Sequence, residues 1–183
     1  MKWRPTMLVL AAAFVAVFLE SSCGFFRNLL GAQIDVLPAL MVYTALTLGF
    51  TSIVLLAVCG GLWFDSLSLN PPGASVLPLL LLGLLIYRSR DLLLRELVFA
   101  QVVLGAAAGA AQPLGTLFIL LNKGQAPLLG WFSLWQWLVM AAGCAAVTPL
   151  FFQLFDRLRR ALEYQPVTQT SFRTDREIKR GRA

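Results

Sequence analysis

The 183-residue chain contains no histidine. Histidine is the usual proton shuttle near neutral pH, the commonest metal ligand, and the base in Ser-His and Cys-His catalytic pairs. Its absence excludes these arrangements. The acids within or beside the apolar runs are Glu20, Asp35 and Asp65, and they belong to no repeated motif. We therefore expect no enzymatic activity, no cofactor and no metal centre.

Cysteine and charge are also scarce. Cys23, Cys59 and Cys144 stand singly in apolar runs without CxxC spacing, which favours packing roles over metal ligation or disulfides. Only 13% of the residues are charged and 58% are hydrophobic, whereas soluble domains are about a quarter charged. With a mean hydropathy of +0.76, the chain is predicted to be an integral membrane protein. At about 20 residues per span, its length suits one bundle and leaves no room for a soluble catalytic domain.

The apolar runs predict an all-α, polytopic bundle of six short-to-normal transmembrane helices in residues 1–160. The first run, 1–26, is expected to be an uncleaved span. The second, 36–64, carries no charge and is divided by Gly49. Two halves of about 14 residues would reach only about 21 Å, against a hydrocarbon core of about 30 Å. Either two short helices cross a thinned bilayer, or they form a re-entrant hairpin beside four spans.

The second half of the chain predicts three more spans, at about 74–87, 97–121 and from the Trp-rich segment to about 155. Gly105 and Gly109 form a GxxxG pattern, which lets two helices approach closely. We favour internal packing over homodimerisation as its role. Residues 161–183 are polar and basic, which predicts a flexible cytoplasmic tail.

The distribution of basic residues predicts the orientation. An even number of crossings places thirteen of the fifteen Lys and Arg residues on one side and leaves Arg27 and Lys123 on the other. By the positive-inside rule, both termini are then cytoplasmic. Because the charge lies at the ends and in one loop, we expect lipid head groups or a cytoplasmic protein, and not nucleic acid, as its partner. The expected basic face comprises Arg88, Arg90, Arg95, Arg157, Arg159 and Arg160.

The segment GGLWFDSLSLNPPG, residues 60–73, brings the apolar run to a single carboxylate, Asp65, and then to a turn. A charged group at such depth is costly, so it indicates a functional or packing role. Alternatively, Asp65 caps the next helix or lies among lipid head groups.

Four features stand out in this central region: the run PALMVYTAL at 38–46, the break at Gly49, the run GGLWFDS at 60–66, and the Pro72-Gly73 pair before a Leu-rich span. Together they resemble the MreD family of bacterial rod-shape-determining membrane proteins. The resemblance extends over about residues 38–90. The chain departs from the family in having Ala39 where an acid is frequent and in lacking a residue between Pro72 and Gly73. The pattern falls on positions expected to determine the fold: Pro38, Gly61, Asp65, Pro72 and Gly73.

The resemblance implies a non-catalytic component of the cell-elongation machinery in the bacterial cytoplasmic (inner) membrane. The partners implied are membrane lipids, an MreC-like membrane protein, RodA with its class B transpeptidase, and the MreB filament. Peptidoglycan synthesis is the process that such a scaffold would serve.

An alternative is a small-molecule-binding subunit of an uptake transporter, since vitamin-capturing subunits have a similar size and six spans. Ala12 and Ala16 form an AxxxA pattern like the one that such subunits use to contact their transporter. A closed pocket lined by several polar residues would favour this role, and an apolar groove would favour the scaffold. The polar candidates are Glu20, Asp35, Asp65, Asn70 and Gln112.

Overall fold

The computed structural model describes residues 3–22, 31, 35–68, 71–90, 97–124 and 130–162. These residues form six helices: α1 (Trp3–Ser22), α2 (Leu37–Thr47), α3 (Phe50–Leu67), α4 (Val76–Ser89), α5 (Val98–Asn122) and α6 (Trp131–Leu162). The helices α1, α3, α5 and α6 are long and apolar enough to cross a membrane. The predicted helical membrane bundle is therefore confirmed.

The apolar run 36–64 breaks at Gly49 as predicted, but into unequal parts. Helix α2 has 11 residues and α3 has 18, so they are about 16 Å and 27 Å long. The expectation of two equal short halves was wrong. The short helices are α2 and the 14-residue α4, which are not consecutive, so they do not form the re-entrant hairpin that was the alternative. The charge-free run ended at Asp65, but helical structure continues past that residue to Leu67.

Side-chain contacts show that α1 and α3 run in the same direction. The hydroxyls of Thr6 and Ser52 are hydrogen-bonded at 2.8 Å near the start of both helices. Further along, the rings of Phe14 and Trp63 meet edge to face with centroids 5.2 Å apart. Both helices therefore begin at the same end of the bundle.

The even-numbered helices run in the opposite direction. Cys144 Sγ donates to the backbone oxygen of Asp35 at 3.1 Å, and two turns later Tyr43 stacks on Phe155 with centroids 4.7 Å apart, so α2 and α6 are parallel. In α4, Val76 packs on Gly61 and Gly83 packs on Ile53, so α4 is antiparallel to α3.

Helices α5 and α6 form an antiparallel pair, because Gly105 lies against Thr148 while Gly109 lies against Met140. The six directions therefore alternate, and the first and last described helical residues, Trp3 and Leu162, lie at the same end. The helix directions thus put both ends of the described bundle on the same side, as an even number of crossings requires. That this end faces the cytoplasm stays a prediction from the charges.

Helix α2 is the centre of the bundle. Every residue from Leu37 to Leu46 is buried, and the helix contacts each of the other five. A helix that is apolar on all sides is stable only when it is surrounded by other elements. Pro38 stands in its first turn, where the missing N–H has no intrahelical partner to lose, so its predicted fold-determining position is the start of this core helix.

The GxxxG pattern is used for packing within the chain. A Cβ atom added to Gly105 would lie 2.7 Å from the backbone oxygen of Cys144, and one added to Gly109 would lie 2.8 Å from that of Met140. Only glycine permits so close an approach of α5 to the α6 backbone. The favoured prediction, internal packing, is the role that the structure shows for both glycines.

The predicted basic face lies at one end of the bundle. Arg88 is in the last turn of α4 and Arg90 follows it, its guanidinium carbon 4.4 Å from the centroid of the Tyr87 ring. Helix α6 continues seven residues beyond the predicted end at 155, and this extension carries Arg157, Arg159 and Arg160, all exposed. The tail predicted from residue 161 therefore begins no earlier than residue 163, because residues 161 and 162 belong to α6. Arg95 and residues 163–183 lie outside the described residues.

Candidate ligand-binding cavity beside the Asp65 cap

Asp65 caps the segment that leads into α4. Its side chain is 3% exposed, and Oδ2 accepts hydrogen bonds from the backbone N–H of Gly73 at 2.7 Å and of Ser75 at 3.2 Å. A carboxylate that accepts backbone N–H groups at a helix start is favoured both by the hydrogen bonds and by the helix dipole. Of the alternatives that the sequence left open, capping of the next helix is the one observed, and the burial of Asp65 excludes a location among lipid head groups.

The turn before α4 depends on Pro72 and Gly73. The N–H of Ala74 donates to the oxygen of Pro71 at 3.1 Å, and Gly73 has φ = +86°. Proline in the second and glycine in the third position are the residues that a type II turn prefers. The turn directs the N–H of Gly73 toward Asp65, so this motif and the carboxylate form one unit. Asn70 lies outside the described residues.

Asp35 performs a similar task at the start of α2. It is 3% exposed, and its Oδ1 accepts the N–H of Leu37 at 2.9 Å. Its backbone oxygen accepts the hydrogen bond from Cys144 noted above. Asp35 and Asp65 are therefore two buried acids at the starts of α2 and α4. These are the two short helices, and both run antiparallel to α3.

A cavity of about 460 Å³ lies next to these caps, between the C-terminal half of α5 and the N-terminal half of α6. Asp35, Ser75 and Gln112 supply polar groups to its lining, while Phe64 and Trp137 supply aromatic surface. The cavity is partly open. Its volume lies in the range of sites that hold small organic ligands.

Two polar atoms of the cavity lining stand out. Within the described part of the chain, Ser75 Oγ and Gln112 Oε1 are buried without a hydrogen-bond partner. Ser75 is 1% exposed and Gln112 is 3% exposed. The amide nitrogen of Gln112 donates to the backbone oxygen of Ser75 at 3.4 Å, so the two residues are adjacent. Buried polar groups are nearly always hydrogen-bonded, so such a pair indicates that something else completes the site.

The structure unites some of the residues that the sequence selected and separates others. Asp35 and Gln112 line the cavity together, as the pocket hypothesis expected, and Asp65 is joined to it through Ser75. Glu20 is not among the lining residues. Sequence reasoning missed Ser75, although a serine between a Pro-Gly turn and a Leu-rich run has the position of a helix N-cap.

The cavity combines the two features that were expected to separate a capture protein from a scaffold. It has polar groups from several elements, but it is open and has extensive apolar walls. Comparison of the chain with known proteins found no matching family model, no matching curated protein and no matching solved structure.

Proposed function

We propose that this protein is a non-catalytic component of the cell-elongation machinery of the bacterial inner membrane, as its resemblance to the MreD family implies. One observation supports the proposal. The residues that carry the resemblance act on neighbouring parts of the fold: Pro38 lies in the first turn of α2, Gly61 packs on Val76 at the α3–α4 contact, and Asp65 and Gly73 form the cap between α3 and α4. Pro72 occupies the turn in the same cap.

In this proposal the motif builds a scaffold and performs no chemistry. The described residues lie almost entirely in helices, so this part of the chain offers mainly helix surfaces to its partners. An MreC-like membrane helix would bind to such a surface, beside RodA and its class B transpeptidase. The exposed arginines at the ends of α4 and α6 would hold anionic lipid or the MreB filament.

Co-purification tests the scaffold role. An affinity-tagged chromosomal copy, extracted gently from membranes, should bring with it the MreC-like protein and RodA. The variant Asp65→Ala should lose them because the α3–α4 junction is damaged, whereas Gly49→Ala, at an exposed site with open space around it, should keep them. A protein that elutes alone, together with normal cell shape after gene deletion, would refute the role.

A second candidate is a small-molecule-capturing subunit of an uptake transporter, and the cavity favours it because Asp35 and Gln112 meet there. This role requires an energising transporter partner. Co-purification of an ATP-hydrolysing transporter unit, and loss of uptake of one nutrient on deletion with unchanged cell shape, would select this role over the first.

A further inference from the structure

We propose that the cavity between α5 and α6 binds a small amphipathic molecule with an aromatic or apolar body and a neutral or cationic group that donates hydrogen bonds. The inference goes beyond the elongation role, and it names a ligand class for the capture role. It rests on the cavity itself and requires neither role to hold.

The unpartnered polar groups of the cavity would be satisfied by a ligand that donates hydrogen bonds. Gln112 Oε1 accepts hydrogen bonds and donates none. Ser75 Oγ is the second group and does either. Because Gln112 Oε1 and Ser75 Oγ are buried and unpartnered within the described residues, a ligand N–H or O–H that reaches either atom recovers a hydrogen bond that the protein alone leaves unmade.

The charge of the lining favours a neutral or cationic head group. None of the described residues around the cavity is Lys or Arg, and Asp35 is an acid. Against the described lining, an anion would lose its hydration without gaining a positive partner. A carboxylate or phosphate ligand is therefore disfavoured.

The remaining lining suits an apolar body. Phe64, Phe132 and Trp137 contribute aromatic surface, and Leu117, Leu120 and Met140 contribute aliphatic surface. Sites for small ligands generally combine such apolar walls with a few convergent polar groups. An ordered water would satisfy the polar atoms but would leave most of the volume of about 460 Å³ unexplained.

Three indole compounds with the same two-carbon linker provide a sharp test. Tryptamine carries an ammonium group, indole-3-propionamide a neutral amide, and indole-3-propionate a carboxylate. Their binding to the full-length protein in zwitterionic lipid nanodiscs is measured by isothermal titration calorimetry, with empty nanodiscs as the blank. We expect the amine and the amide to bind saturably with 1:1 stoichiometry, and about tenfold or more tightly than the propionate.

A matched pair of glutamines on α5 provides the control. Gln112 and Gln101 are both buried, but only Gln112 lines the cavity. We expect Gln112→Met to weaken amide binding about tenfold and Gln101→Met to leave it within about twofold. Ser75→Ala deletes the other unpartnered atom and should weaken binding similarly. This variant replaces Gln112→Met in the test if Gln112→Met does not fold.

Three results would overturn the inference. The first is absence of saturable binding by the amine and the amide, which would leave water as the occupant. The second is equal affinity for all three head groups, or equal loss in the two glutamine variants. The third is that Gln112→Met no longer co-purifies with its partners while the wild type binds none of the probes. This combination would identify the cavity as the binding site of a partner helix. Because binding is measured on the isolated protein, its failure is distinguishable from failure of either cellular role.

Discussion

The carboxylate of Asp65 and the backbone N–H of Gly73 are joined by a 2.7 Å hydrogen bond across eight positions of the chain. With the second bond to Ser75, it fixes the angle at which α4 leaves α3, and Ser75 in turn borders the cavity. One buried acid thus connects the motif on which the proposed elongation role rests to the site proposed to bind a ligand.

Removing this acid should destabilise the protein. Asp65→Ala leaves the N–H groups of Gly73 and Ser75 without their acceptor, which should cost about 1–3 kcal/mol. Asp65→Asn keeps one acceptor oxygen and should lose less. Thermal unfolding of the purified protein, followed by circular dichroism, measures both. Identical melting temperatures for Asp65→Ala and the wild type would contradict the capping role.

Gly73 should be sensitive to substitution for a conformational reason. Its φ of +86° is costly for a residue with a side chain, so Gly73→Ala should lose about 1–2 kcal/mol although there is space for the methyl group. Gly49→Ala is the matched control, since Gly49 has φ = −98° and is equally uncrowded, and it should change stability by less than about 0.5 kcal/mol. Equal effects of the two substitutions would disprove the argument.

Helix α5 should tolerate larger side chains on its exposed face but not on the face that packs against α6. Gly109→Leu forces a side chain into the backbone of Met140 and should cost about 1–3 kcal/mol or more. Ala111→Leu, two positions along on an exposed site, should be tolerated. The melting temperatures give the comparison, and size-exclusion chromatography with light scattering checks that neither change alters the oligomeric state. A dissociated dimer in Gly109→Leu would instead indicate that this glycine lies between two copies.

Labelling of single cysteines should establish the orientation. In a background lacking Cys23, Cys59 and Cys144, we expect Lys123→Cys to react with a membrane-impermeant maleimide in intact cells. Arg160→Cys, at the opposite end of the bundle, should react only after permeabilisation. Both native side chains are exposed, so access to the reagent is decided by the membrane. Labelling of Arg160→Cys from outside would reverse the orientation.

The sequence allowed the helical class, the even number of crossings and the break at Gly49 to be predicted, because each depends on hydropathy or charge along the chain. It did not reveal that Leu37–Leu46 is the buried centre, since apolar residues face lipid and protein alike in a membrane. The lengths of α2 and α3 also escaped prediction, because a uniformly apolar run has no internal signal for its ends.

The candidate site was partly predictable. Asp35 and Gln112 were selected as rare polar residues in apolar surroundings, and the cavity does contain both. Ser75 and Trp137 were not associated with them, because the residue before α4 and a residue of α6 reach the same place only through tertiary packing. The sequence allowed several interpretations of Asp65, and only the structure identified the backbone N–H groups that donate hydrogen bonds to it.

The central position of α2 has a consequence for biogenesis. Helices α5 and α6 are neighbours in sequence, and their glycine contacts need no third helix, so this hairpin is able to assemble as soon as both segments have left the ribosome. Helix α2 is synthesised early, yet three of the five surfaces that enclose it belong to α4, α5 and α6. It stays incompletely covered until α6 has been synthesised, and chains truncated before α6 should be the preferred substrates of membrane quality-control proteases.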